Sequence, residues 1–298
     1  MHGSPCQDFS VAGKNAGGDE GSGTRSSLLY ETLRIVEKVQ PDIVIWENVK
    51  NLLSNRHKHN HEAYIERMNV LGYDSVTQIL NAKDYGVPQN RERVFTLSIK
   101  RGSKLVKSYT RPEPRPLELK LKDVLEEKVD ERYYLTDEQV ASFKADSDNQ
   151  TAKGYGFAFK PGSTETYATT ISTRAGQRKT DNFVKIRTAN KKGFDVATDG
   201  DGIDLGYTNS TTRRGRVGHG VSKTIPTGGG DSMGTLDGFR IRKLTPRECW
   251  RLMGFDDADF DKAQAIGTSN TQLYKQAGNS IVVNCLEEIF KGIEWNDD

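Results

Sequence analysis

The sequence predicts an α/β fold joined to a second, smaller part of irregular, β-rich structure. Three observations carry this expectation. Helical and strand-like apolar patterns alternate over the first third of the chain. Arg111-Pro112-Glu113-Pro114-Arg115-Pro116 then interrupts that grammar as a stiff, extended connector. From about Thr151 to Asp237, Gly, Thr, Ser, Lys and Arg dominate, and no long helix can be drawn.

The elements follow in order. Met1 to about Gly23 is rich in Gly, Ser and Asp and reads as a mobile loop. A helix is expected over about Ser26–Val39, because Leu29, Leu33 and Val36 recur on one face and Pro41 stops it. Ile43-Val44-Ile45-Trp46 is wholly apolar, the mark of a strand buried on both faces. A second helix is expected over about His61–Leu71, with Tyr64, Met68 and Leu71 on one side and Gly72 as its stop. Strands are expected near Ser75–Leu80 and Arg93–Ile99. Beyond the prolines come a short helix over about Leu121–Lys128 and another starting at Thr136, where Thr136 and Gln139 form a capping box. Thr245-Pro246-Arg247-Glu248 is a helix start, with Thr as cap, Pro first and Glu closing the box; Gly254 ends that helix. A last helix is expected over about Ser280–Phe290, capped by Asn279, with Val282, Leu286 and Ile289 aligned.

Composition narrows the class. The 298 residues are 34% hydrophobic, enough for a packed core. No apolar run reaches the ~18 residues of a membrane span, and no charged-then-apolar leader is visible. The expectation is a soluble, cytoplasmic protein. Forty-three basic and 41 acidic residues give a net charge of +2, which excludes a strongly basic polyelectrolyte. A nucleic-acid partner stays open, because the distribution of charge matters more than its sum. Cys6, Cys249 and Cys285 are odd in number and far apart, which argues against a disulfide framework. Without a Cys-x-x-Cys pair, structural zinc is not expected. His57, His59 and His61 read as a solvated loop ahead of a helix, since no carboxylate or thiol completes a metal set.

Three motifs carry chemistry. Cys6 follows Pro5 near the N-terminus, Glu47 ends the apolar run, and Arg91 and Arg93 enter the last predicted strand of the first part. A thiol, an acid and an arginine pair suit attack on a polar ring whose charge must be managed. Cys6 with the histidine cluster is also compatible with a thiol hydrolase, although no Asn or Asp stands in a recognisable orienting context. A DNA-binding module without chemistry is the third reading.

Six blocks resemble, in order, the motifs of the DNA cytosine-5 methyltransferases, particularly the bacterial and phage enzymes of restriction-modification type. Gly3-Ser4-Pro5-Cys6-Gln7 is similar to the nucleophile motif, and Thr24-Arg25-Ser26-Ser27-Leu28 to the cofactor-side helix start. Glu47-Asn48-Val49 and Gln89-x-Arg91-x-Arg93 match two more. Arg242-x-Leu244-Thr245-Pro246-Arg247-Glu248-Cys249, followed by Gly254-Phe255, resembles the motif after the variable region. Gln276-Ala277-Gly278-Asn279-Ser280-Ile281-Val282 resembles the final one.

The resemblance implies an incomplete Rossmann-like methyltransferase sheet with a second, irregular β-rich target recognition domain. Residues 1–105 would form a partial catalytic domain, with 276–298 packing back on it, and 106–275 a linker and target recognition domain. It implies that Cys6 adds to C6 of a flipped cytosine, Glu47 shares a proton at N3, and Arg93 holds O2 with Arg91 in support. S-adenosyl-L-methionine is the implied methyl donor, with contacts at Leu28, Asn279 and Ser280. Double-stranded DNA is the implied partner. Basic residues of the variable stretch, Arg174, Arg178, Lys179, Lys185, Arg187, Lys191 and Lys192, then Arg213, Arg214, Arg216 and Lys223, are expected at phosphates, with some arginines reading guanine. The family places a strand, a Phe-x-Gly-x-Gly cofactor turn and an acid for the ribose before its Pro-Cys, and none of these precedes Cys6 here. Gly17-Gly18-x-x-Gly21-x-Gly23 follows no predicted strand and is no substitute. The expectation is a truncated or split form with impaired activity alone; in the split form a second polypeptide would bear the cofactor loop.

Overall fold

The computed structural model describes residues 1–6, 8–9, 17–134, 183–191, 193–206, 212–226, 232–237 and 240–296. The predicted helix at Thr136, and Arg174, Arg178, Lys179 and Lys192, lie outside the described residues. The chain forms two compact units, one of Met1–Tyr85, Arg91–Pro116 and Asn284–Asp298, the other of Gly86–Asn90 and Leu117–Val283.

The first half of the chain runs β1 (His2–Gly3), α1 (Leu29–Val39), β2 (Ile43–Val49), α2 (Lys58–Val70), β3 (Tyr73–Asn81), β4 (Gln89–Asn90), β5 (Glu92–Lys100) and β6 (Val106–Tyr109). The sheet of the first unit has the order β1-β2-β5-β3. β1 lies parallel to β2, whereas β5 runs antiparallel to both β2 and β3. Strand β1 corrects the reading of Met1–Gly23 as loop throughout. Its two residues carry no apolar periodicity, and only the pairing of His2 with Trp46 and Gly3 with Glu47 makes them a strand.

Amphipathic helices cover this sheet. α1 buries Leu29, Leu33 and Val36, and α2 buries Tyr64 and Met68. These join Val44, Trp46, Leu52, Tyr73 and Phe9 in one core cluster. Each fully buried side chain of this size contributes roughly 1.5–3 kcal/mol. The cluster therefore fixes the sheet, and the two-residue β1 ladder borrows its place from it. α1 stops at Gln40, whose left-handed φ of 52° lets its N–H reach the Val36 carbonyl at 2.8 Å. Residues alternate along β2, so Trp46 joins the helices and Glu47 turns to the other face.

The second unit contains a four-stranded antiparallel sheet, ordered Val217–Gly218, Gly202–Asp204, Met233–Asp237, Arg240–Lys243. A hairpin of Phe183–Arg187 with Phe194–Thr198 adds Ile186 and Ala197 to its core of Ile203, Leu205, Val217 and Leu236. Helices α3 (Pro246–Arg251), α4 (Asp257–Ala265) and α5 (Asn270–Asn279) follow, and α6 (Val283–Lys291) leads back into the first unit.

Three expectations change here. Leu121–Lys128 is not a helix but a single 3-10 turn, Leu121–Val124, because Leu125 is extended and the Glu126 N–H is captured by Glu248 Oε1 at 2.9 Å. Asn279 does not cap the last helix. It ends α5, Ser280 caps that helix at its C-terminus, and α6 begins only at Val283. α4 and α5 themselves were not foreseen: α4 buries only Phe260, and α5 carries Gly278 near its end, so neither shows a strong apolar period.

The capping box at α3 does form. Thr245 Oγ1 accepts from the Glu248 N–H at 3.2 Å, and Glu248 Oε2 accepts from the Thr245 N–H at 2.8 Å. Glu248 also takes two hydrogen bonds from the Arg242 guanidinium, at 2.8 and 2.9 Å, with both side chains at most 1% exposed. Removing one partner of such a pair strands the other charge. Glu248→Ala is expected to lower the stability of this unit by about 3–5 kcal/mol, and Glu248→Gln, which keeps an acceptor for the cap, by less. Urea denaturation followed by tryptophan fluorescence measures it; a loss below about 1 kcal/mol for the alanine variant would contradict the argument.

Candidate active site

Cys6 emerges three residues beyond β1, and the register of β1 on β2 sets what it meets. Gly3 pairs with Glu47, and a Cβ at Gly3 would lie 3.4 Å from Glu47 Oε2. The carboxylate thus rests against the bare backbone that leads to Cys6. On the other side of β2, Glu47 pairs with Phe95 and Val49 with Arg93. Glu47 and Arg93 are therefore diagonal neighbours on one face of the sheet, within reach of long side chains. They form an ion pair, Arg93 Nε to Glu47 Oε1 at 3.1 Å, with side chains only 16% and 13% exposed. Arg91 is 4% exposed, and its backbone N–H is held by Asn81 Oδ1 at 3.0 Å.

These groups act on one another. Burial pushes the Cys6 thiol up; Arg93 opposes that rise and Glu47 adds to it. Burial also raises the Glu47 carboxyl, against the pull of Arg93 and then Arg91. Arg91 is lowered to about 9, first by burial and then by the like charge of Arg93. The result is a thiol that is not pre-ionised, beside an acid biased toward its protonated form and two guanidinium groups. Such a site can add sulfur to an electron-poor ring while handing a proton to one ring atom and a cation to another.

The approach to Cys6 is held by groups not singled out from the sequence. Trp46 Nε1 donates to Ser4 Oγ at 2.9 Å, and Asn48 Nδ2 donates to Ser4 Oγ at 3.1 Å and to the Ser4 carbonyl at 3.3 Å. Asn48 and Ser26 lie inside recognised blocks, so motif membership was their only sequence signal.

The cofactor candidates fall in separate units. Leu28 ends the 3-10 turn Arg25–Leu28 in the first unit, and its apolar side chain is 52% exposed. Asn279 is exposed and Ser280 Oγ donates to the Gln276 carbonyl at 2.7 Å, both in the second unit. Gly17 and Gly18 make no nucleotide cradle. A Cβ at Gly18 would meet the Phe9 ring at 2.4 Å, and Gly17 faces His57. Leu28 offers an apolar surface in the first unit, and Asn279 and Ser280 offer polar groups in the second.

The histidines correct the solvated-loop reading. His57 is buried with Phe9 edge-on to its ring, while His59 and His61 lie within α2. His59 Nε2 meets Asp19 Oδ1 at 2.7 Å, and His61 Nε2 lies 3.0 Å from Thr77 Oγ1. No described residues form a metal-binding group. Cys249 and Cys285 are buried in helices, and burial pushes Cys285 up to about 12. Two of the presumed phosphate contacts are also corrected. Arg213 Nε pairs with Asp204 Oδ2 at 2.7 Å, and buried Arg216 bonds the carbonyls of Asp204 and Gly206. Both hold loops, whereas Arg214 and Lys191 are exposed.

Residues 1–295 match the C-5 cytosine-specific DNA methylase family. The chain belongs to that family. It is 38% identical over 287 residues to the type II methyltransferase M2.ScrFI of Lactococcus lactis subsp. cremoris, covering 96% of this chain and 64% of that protein. To the orphan methyltransferase M.SPRI of Bacillus phage SPR it is 30% identical, over 97% of this chain and 80% of that one. To the type II methyltransferase M.HhaI of Haemophilus parahaemolyticus it is 30% identical, over 96% and 72%. Among solved structures, the Entamoeba histolytica methyltransferase EhMeth superposes with a TM-score of 0.54 at 17% identity, covering 97% of this chain and 76% of that one. The α/β sheet is thus of the Rossmann-like methyltransferase kind. No described helix is long and apolar enough to cross a membrane.

The charges around Cys6 can be read directly. Its alkylation by iodoacetamide should rise with pH through a midpoint above the ~8.5 of a free thiol. Arg93→Ala, which removes the cation favouring the thiolate, should move that midpoint higher. Glu47→Gln, which removes the opposing anion, should move it lower. Peptide mass spectrometry separates Cys6 from Cys249 and Cys285. A midpoint at or below that of a free thiol, or shifts in the opposite order, would overturn the electrostatic account.

Proposed function

We propose that this protein methylates C5 of a cytosine flipped out of a specific duplex sequence, through a transient covalent bond from Cys6. The observation that carries the reading is the buried Glu47–Arg93 pair within electrostatic reach of the Cys6 thiol. The thiol passes its proton to water as Sγ bonds to C6 of the ring. The C5–C6 π electrons move toward C5 and N3. Glu47, whose carboxyl is raised by burial, donates at N3, and Arg93 holds O2 with Arg91 behind it. S-adenosylmethionine supplies the methyl group when bound, and this chain offers it Leu28, Asn279 and Ser280. Water takes the C5 proton, which restores the C5–C6 double bond and expels Cys6 as thiolate, and the N3 proton returns to Glu47.

A stacked base cannot present C6 to a thiol, so the cytosine must leave the helix, at a cost of roughly a few kcal/mol. In this reading the second unit, with exposed Arg214 and Lys191, meets the phosphates and selects the site. The proposed setting is the cytoplasm. The proposed partner is duplex DNA.

Duplex DNA containing 5-fluorocytosine tests the chemistry, because fluorine cannot leave as a proton does and the adduct is trapped. With S-adenosylmethionine present, a denaturant-stable protein–DNA species is expected, and Cys6→Ser should abolish it. An adduct that survives Cys6→Ser would refute the assignment of the nucleophile. Salt-sensitive DNA binding with no adduct under any condition would make the chain a binding module instead.

A further inference from the structure

We propose that Ser26 is a positioning residue for Cys6, holding the backbone on both sides of the nucleophile at once. The inference rests on the reading of Cys6 as the attacking thiol and adds to it the part that aims the thiol.

Ser26 is fully buried in the 3-10 turn Arg25–Leu28, immediately before α1. Its hydroxyl donates to the Pro5 carbonyl at 2.7 Å, one residue before Cys6. The same oxygen accepts from the Asp8 N–H at 3.2 Å, two residues after Cys6. Its own backbone N–H donates to Asp8 Oδ2 at 3.2 Å. One small side chain thus uses its single proton on one side of the nucleophile and a lone pair on the other. Asp8 returns the contact with its carboxylate and is itself only 8% exposed.

The surroundings make this tie stiff. Phe9, at 0% exposure, is packed in the core cluster, and its N–H donates to the Cys6 carbonyl at 3.1 Å. Asn51 Nδ2 donates to the Phe9 carbonyl at 2.6 Å, and the Gly17 N–H to the Asp8 carbonyl at 2.9 Å. A Cβ at Gly18 would fall 2.9 Å from Ser26 Cβ, so nothing larger than glycine fits beside the serine. Leu29, next to the turn, is anchored in the core with Leu33 and Val36. The chain of contacts therefore runs from the packed body of α1, through Ser26, to the peptide units flanking Cys6. Glu47 and Arg93 are fixed by strand register, so the thiol needs its own tether to the same core. Small misplacements of a reacting atom carry large kinetic penalties.

The test is the rate of adduct formation with 5-fluorocytosine duplex at saturating DNA, using the full chain with S-adenosylmethionine supplied. Ser26→Ala should slow the rate constant about 10–100-fold, while DNA affinity stays within about 2-fold. The final adduct amplitude counts correctly folded molecules, so a merely structural role would lower amplitude and melting temperature without lowering the rate constant. Asp8→Ala should slow the step as well, Asp8→Asn, which keeps an acceptor oxygen, should recover most of the rate, and Asp8→Ala should add little on top of Ser26→Ala because the two act as a unit. If Ser26→Ala does not fold, the Asp8 pair decides alone. Rates within about 2-fold of wild type for Ser26→Ala, or for Asp8→Ala, would overturn the inference. Failure of the wild-type chain to form a Cys6 adduct would instead overturn the proposed function.

Discussion

The register of two pairings governs the candidate active site: Gly3 against Glu47 on one edge of β2, and Val49 against Arg93 on the other. A slip of one residue in either ladder would send a side chain to the opposite face. Glu47 would then lose Arg93 and sit as an isolated buried acid. The strands that set this register are held by the core under α1 and α2, not by the ladder at β1, which is too short to stand alone.

Burial is what gives the cluster its chemical character. Glu47 and Cys6 both rise because the site is poorly solvated, and Arg91 falls for the same reason. Arg93 works against both rises. Burial thus favours the protonated forms of both the acid and the thiol, and Arg93 limits that preference. In the proposed reaction, charge appears on the ring only where Glu47 and the arginines can meet it, which is differential stabilisation of the transition state over the ground state.

The second unit carries buried polar hubs beside its apolar core. Glu248 joins the Arg242 guanidinium, the cap of α3 and the Glu126 backbone. Asp201 does the same for two turns, accepting from the Thr198 and Gly220 N–H groups and meeting the His219 ring at 2.9 Å. A chain poor in apolar runs can specify loops in this way, since each buried carboxylate is satisfied only by one arrangement of its donors. It also explains why arginines that look like DNA contacts in sequence, Arg213 and Arg216, are instead bound within the fold.

Local signals in the sequence determined the elements whose cause is local. Apolar spacing located α1, β2, α2, β3 and β5 to within a few residues, and Thr245 with Glu248 marked the start of α3. The order of its motifs determined the family and named Cys6, Glu47, Arg91 and Arg93. Tertiary structure alone decided what depends on partners distant in the chain. It made His2–Gly3 a strand, ended the turn at Leu121–Val124 through a contact from Glu248, and moved Asn279 from a cap to the end of α5. It also placed Ser26 astride Cys6 and closed Arg93 onto Glu47. Periodicity and caps act over about one to two helical turns, whereas hydrogen bonds and ion pairs between residues tens of positions apart exist only once the sheet has set their register.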